Sequence, residues 1–299
     1  MKTYDCFTFF NELDVLEFRL QELYDTVDYF VIAEANMSHS GKPKEYILLD
    51  NWDRYKPYAD KIRRVQVDDM DKTVSEHEKL RQVNNWANTP ESWIRERYQR
   101  WSLEKGLKDR KPEDIIITSD LDEIPRAEMI QMIQQDENDY ARYILGIPMF
   151  QYKINYMKWT ERSRQFNIIV TRGRVYTDPQ EEREYTFPWI PDPEDIVYID
   201  HGGWHFTYFG DDAHAITKIQ NFAHTETDTP DMIARHNIEW MVKNKYGHHG
   251  VNQPERFEIV RVDDYFPKCI TDNLNKWSHQ IVPNAVFRVT DLYREDEAR

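Results

Sequence analysis

Residues 115–125 read IIITSDLDEIP: a short β-branched run, then two aspartates two positions apart, then the approach to a helix. A buried strand that runs out into carboxylates puts them where open α/β sheets collect their ligands, beyond the carboxyl ends of the strands. Toward the N-terminus, Tyr4 to Phe10 and Tyr29 to Ala33 read as strands, and Leu13, Leu16, Leu20 and Leu23 recur between them at helical spacing. Ile62 to Val67 is another strand, and Thr89 with Pro90 opens a helix carrying Trp93, Ile94, Tyr98 and Trp101. This alternation predicts an α/β domain with a mostly parallel central sheet and helices on both faces.

Beyond Arg126 the pattern gives a helix to about Gln135, then strand-like pieces around Ile144, Ile168 and Val197 with long polar connections such as TDPQEEREY, residues 177–185. GGWHFTYFG, residues 202–210, alternates with period two: Trp204, Phe206 and Tyr208 on one side, His205, Thr207 and Phe209 on the other. Two helices are expected after it, one over Ala213 to Phe222 and one opened by Thr229 and Pro230 and closed near Gly247.

Composition narrows the function. The 299 residues are 40% hydrophobic and 14% aromatic, enough for a sizeable core. Net charge is -15, and no block of Lys and Arg is dense enough to track a phosphate backbone, so nucleic acid is excluded as a first partner. The two cysteines, Cys6 and Cys269, suggest no disulfide framework and fit a reducing compartment. In MKTYDCFTFFNELD, Asp5 and Glu12 interrupt an apolar run too short for a signal peptide or a membrane span. A soluble or cytoplasmic protein without an anchor is the expectation.

Asp120 and Asp122, if the strand continues, project to the same side and concentrate two negative charges. Such a pair is relieved by a hard divalent cation, Mn²⁺ or Mg²⁺, which keeps positions free for the phosphates of a nucleotide diphosphate. Asp69 and Asp71 repeat the spacing without the preceding strand or following helix. Glu123 reads equally as a residue supporting the pair or as a helix-start acid. His205 is either a hydrogen-bonded core histidine or a further metal ligand. Arg95, Arg97 and Arg100, interleaved with Glu91 and Glu96, form a solvated ion-paired face or send one guanidinium to the diphosphate.

With SDLDEIP, GGWHFTYFG, the opening DCFTFFNELDVLEFRLQELYDTVDYFVIAEAN and WIRERYQR in view, the chain resembles glycosyltransferase family 17, the β-1,4-mannosyl-glycoprotein N-acetylglucosaminyltransferases. The resemblance runs from about Asp5 to Gly250. It implies a GT-A type, Rossmann-like fold, a UDP-sugar donor such as UDP-GlcNAc, inversion at the anomeric carbon, Mn²⁺ dependence and a glycan or polysaccharide acceptor. By it Asp120 and Asp122 are the metal pair, His205 a candidate third ligand, and Glu34, Asn36, Arg100 and Asp120 the donor-binding residues. One catalytic domain over 1–299 is expected, with residues 1–135 as the nucleotide-sugar half, 136–250 as the acceptor half and 251–299 as an extension.

An inverting transfer needs a carboxylate to take the acceptor's proton. Asp211 or Asp212, just past the GGWHFTYFG strand, is the candidate, with Glu194 and Asp195 in reserve; each of the first two could equally cap the next helix. Two other readings stay open: a carbohydrate-binding protein whose Trp and Tyr residues stack on sugars, and another metal-dependent nucleotide-sugar enzyme such as a nucleotidyltransferase or hydrolase.

Overall fold

The computed structural model describes residues 1–70, 90–138, 140–159, 164–185, 195–247 and 256–297. Four strands, β1 (Thr3–Phe9), β2 (Tyr29–Ala35), β3 (Ile62–Val67) and β4 (Ile115–Thr118), lie in the spatial order β3-β2-β1-β4 and are all parallel. Their side chains on both faces are mostly apolar and buried, as a sheet covered on two sides requires.

The direction reverses past β4. The next strand in space, β8 (Arg164–Arg172), is antiparallel both to β4 and to β6 (Arg142–Gln151), and β7 (Tyr156–Trp159) and β11 (Arg256–Ile259) extend the sheet. β9 (Ile196–Ile199) and β10 (Gly203–Thr207) run parallel to β6, and β10 also pairs antiparallel with β5 (Glu123–Pro125). The α/β architecture and its partly antiparallel second half are therefore as expected. SDLDE connects β4 to β5, at the seam between the parallel and mixed regions.

Helix α1 (Leu13–Leu23) buries Val15, Leu16, Phe18, Leu20 and Leu23. Phe18 meets Phe206, Phe209 and Trp277 edge-on at centroid distances of 5.9, 5.5 and 4.7 Å, contacts worth about 0.5–1.5 kcal/mol each beyond their burial. Phe266, Ile270, Trp277, Val289, Leu292 and Tyr293 belong to the same core cluster as α1 and β4.

Three local expectations change. TDPQEEREY is not a connection: its centre forms a helix, Pro179–Glu184, N-capped by Asp178, whose carboxylate accepts from the backbone N–H of Gln180 and Glu181. The strand in GGWHFTYFG stops at Thr207, because Tyr208 turns into the left-handed region (φ 51°) and ends the alternation. The helix expected from Thr229 is two, Pro230–Arg235 and Ile238–Asn244, because Asn237 caps the second through the N–H of Trp240. It ends at Lys245 in the left-handed conformation (φ 60°), before Gly247. Thr89 and Asp71 lie outside the described residues; the helix they precede runs Glu91–Trp101. Among the described residues no helix is long and apolar enough to cross a membrane.

Candidate active site

The SDLDE turn is held from behind by one arginine. Arg19, fully buried on α1, forms a two-point ion pair with Asp5 of β1 (2.8 and 2.6 Å). Its other donors reach the carbonyls of Asp120 (2.7 Å), Leu121 (3.1 Å) and Glu123 (3.0 Å) and the Ser119 hydroxyl (2.8 Å). An unpaired guanidinium in this interior would be severely unfavourable, so the pairing fixes the turn's backbone.

Strand β10 docks on the same turn. Phe206 donates its N–H to the Asp122 carbonyl (2.8 Å), and His205 stands opposite Glu123 in the ladder. The approach is tight: a Cβ on Gly203 would lie 2.1 Å from the Ile124 carbonyl oxygen, so only glycine fits. This is why GGWH begins with glycine, and it brings the His205 Nε2 to 3.5 Å from the Asp122 Oδ2.

The carboxylates face a cavity of about 1090 Å³. Asp120 accepts from Arg100 (3.1 Å) and Arg183 (3.0 Å), one on each oxygen. Burial disfavours its ionised form, yet Arg183 and Arg100 hold its carboxyl well below the usual carboxylate range. Asp122 accepts from Lys218 (2.7 Å), and against its burial Lys218 and His205 depress it further. Glu123 accepts from Arg183 (2.9 Å) and Asn167 (2.7 Å); its burial outweighs Arg183 and leaves its carboxyl raised. Burial opposes protonation of His205, but the Asp122 charge overcomes it and raises the imidazole. Both aspartates line the cavity, each with its own cations.

Among the described residues the carboxylates lining this cavity, Glu12, Glu96, Asp120, Asp122, Glu123, Glu184 and Glu226, outnumber the cations Lys44, Arg97, Arg100, Arg183 and Lys218. A diphosphate would enter an already negative space, which is unfavourable unless a further cation accompanies it. No group of three or more His, Cys, Asp or Glu side chains is arranged to hold a metal among the described residues. The donor set nevertheless fits a cation shared with a ligand: Asp122 and His205 would supply an oxygen and a nitrogen, and the phosphates the remainder. Asp120, with both oxygens taken by guanidinium groups, is less available than the sequence suggested.

Arg97, Arg100, Asp120, Asp122, Glu123 and His205 thus converge, whereas Glu34, Asn36, Asp211 and Asp212 do not line the cavity. Glu34 is buried, accepting from Lys44 (3.2 Å) and the Leu48 N–H (3.1 Å). Asn36 is placed by backbone bonds to Val67 and Lys44. Asp211 caps the helix Asp212–Asn221 through the His214 N–H (2.8 Å), and Asp212 accepts from the Ile238 N–H (2.7 Å), so the capping reading describes Asp211. Asp195 accepts from the Ala141 N–H (3.2 Å), and Glu194 lies outside the described residues. Asp69 accepts from the Tyr98 hydroxyl (2.7 Å). Of the arginines on the helix Glu91–Trp101, Arg95 pairs with Glu91 (2.7 Å), whereas Arg97 and Arg100 are buried along the cavity. Sequence reading missed Arg183 and Lys218. Arg183 had a local signal, the Asp178-Pro179 helix start; Lys218 had none.

The profile of glycosyltransferase family 17 matches residues 1–244. Similar solved structures include residues 1–349 of S. aureus TarS, 12% identical, covering 81% of this chain and 72% of that one at a TM-score of 0.39. The galactosyltransferase LgtC in complex with donor and acceptor sugar analogs is 10% identical, with 99% and 100% covered and a TM-score of 0.36. A glucose-1-phosphate thymidylyltransferase from Bacillus anthracis in complex with sucrose is 11% identical, with 68% and 88% covered and a TM-score of 0.37. No curated protein matches the sequence significantly. The match over most of the chain, with SDLDEIP and GWH meeting in one cavity, makes this protein a glycosyltransferase belonging to glycosyltransferase family 17.

Proposed function

We propose that the protein transfers a sugar, with inversion, from a nucleotide diphosphate donor to a hydroxyl of a glycan acceptor, UDP-GlcNAc being the first donor to test. The observation that carries the reading is the meeting of Asp122, His205, Lys218, Arg100 and Arg183 around one cavity at the end of β4. Breaking the glycosidic bond leaves charge on the departing diphosphate, and preorganised cations next to that charge lower the barrier. Arg100, Arg183 and Lys218 are positioned for this, each able to exchange a carboxylate for a phosphate oxygen. A bound divalent cation, held by Asp122 and His205, would supply Lewis-acid neutralisation of the same leaving group. Asp120 in this reading sets the two arginines rather than serving the cation.

The test is a panel of nucleotide sugars with Mn²⁺, Mg²⁺ or chelator, scored by released nucleoside diphosphate and by thermal stabilisation. A donor at 100 times its Kd should stabilise the fold by about 2.7 kcal/mol. Stabilisation with diphosphate release supports the transferase. Stabilisation without turnover on any acceptor would favour a carbohydrate-binding protein, and pyrophosphate as product would favour a nucleotidyltransferase.

A further inference from the structure

With Asp211 and Asp212 held by backbone N–H groups and absent from the cavity lining, another group is needed to receive the acceptor's proton. The cavity's carboxylates are already engaged as acceptors. Asp120, Asp122, Glu123, Glu96 and Glu184 each accept from an arginine or lysine, and Glu12 accepts from the Phe10 and Asn11 N–H groups. For Asp120 and Asp122 these cations outweigh burial, so each holds a proton weakly.

The turn after the helix Asp212–Asn221 offers a different arrangement. His224 Nδ1 lies 2.6 Å from Glu226 Oε1, and both residues line the cavity. The imidazole packs edge-on against Trp93 (centroids 4.6 Å, 81°) and beside Phe222 (5.3 Å). The turn is anchored from below, since Ser92 donates its hydroxyl to the Ala223 carbonyl (2.8 Å), and Thr227 closes it on the His224 carbonyl. Although burial works against it, the hydrogen bond and charge of His224 and a backbone N–H together hold the Glu226 carboxyl below its usual range. An ionised carboxylate only accepts, so in the neutral imidazole the proton sits on Nδ1 and the lone pair on Nε2. The half-buried His39, by contrast, is paired with the amide oxygen of Gln99 (2.8 Å), which brings no negative charge to stabilise an imidazolium.

We propose, building on the transferase reading, that His224, oriented by Glu226, is the general base that deprotonates the acceptor. The acceptor oxygen forms its bond to the donor's anomeric carbon as its proton passes to Nε2. The bond from that carbon to the diphosphate oxygen breaks, its electron pair leaving with the nucleoside diphosphate. The imidazolium formed is stabilised by the Glu226 charge, so His224 is the catalytic residue and Glu226 the positioning residue.

The experiment uses the full chain with UDP-GlcNAc as donor and methyl β-mannoside as acceptor probe. His224→Ala should lower kcat by about 10²–10⁴-fold while leaving the Kd for UDP within twofold, and added imidazole should restore part of the rate. Glu226→Gln should lower kcat by roughly tenfold, for loss of one charged orienting bond, and shift the acid limb of the pH–rate profile. Wild-type turnover that survives His224→Ala within threefold overturns the base assignment alone. So does loss of UDP binding in parallel with kcat, or a deficit that imidazole leaves untouched. Absence of UDP release by the unsubstituted protein overturns the transferase reading of this donor, and the dyad with it.

Discussion

The two faces of the SDLDE turn are charged in the same way but built for different ends. Behind it, Arg19 and Asp5 are both fully buried, and the guanidinium also bonds the Ser119 hydroxyl and three backbone carbonyls. In front, Asp120 keeps 35% of its side chain exposed although two arginines hold it, and Lys218 keeps 19%. A pair sealed from water has no substitute partner, whereas a pair at a cavity wall can trade one oxygen ligand for another. The first kind of pair fixes geometry, and the second lends its charge to a ligand.

The hardest blow to this contrast comes from Arg19→Met. It leaves Asp5 buried without a partner and should cost about 3–5 kcal/mol, read from urea denaturation; an unchanged midpoint would mean the turn holds its shape without the arginine. Asp122→Asn should act the other way, lowering kcat by about 10²–10³-fold with a much smaller loss of stability than Arg19→Met. Comparable losses of stability in the two variants would erase the distinction between faces. Lys218→Met should weaken donor binding by roughly 10–100-fold, the worth of a hydrogen bond to a charged group, measured by calorimetry with UDP.

The smallest effect concerns protons. Although burial works against it, Asp122 raises His205, so the stabilisation from the charged imidazole is complete below the unfolded histidine value, near 6.5, and fades as pH rises through the higher folded value. The stability gap between wild type and His205→Gln should narrow by about 1 kcal/mol or less across that window. In Asp122→Asn the His205 titration, followed by NMR, should move down.

What the sequence disclosed and what it hid follow from the range of the forces involved. The strands around β4 were legible because a run such as IIIT or YFVIA declares its burial locally. Arg19 was not, since its partners lie 14 and about 100 positions away and α1 looks like an ordinary amphipathic helix. Glu34 misled because it does end a strand near the ligand side, yet Lys44 and the Leu48 N–H draw its carboxylate into the protein. Asp211 misled for the opposite reason: an acid after a strand and before a helix satisfies the capping rule and a catalytic expectation equally well. Arg183 was hidden by the polarity of TDPQEEREY, although its helix start was written in Asp178-Pro179.

The segment beyond residue 244 carries a consequence for engineering. The Tyr265 carbonyl accepts from the Trp204 indole (3.0 Å) and the Arg126 guanidinium (2.8 Å), and Trp277 caps Phe18 on the helix that bears Arg19. Truncation at the border of the family match would strip hydrogen-bond acceptors and an aromatic lid from beneath β10. Tail-swapped chimeras would therefore disturb the foundation of His205 while every residue facing the cavity kept its identity.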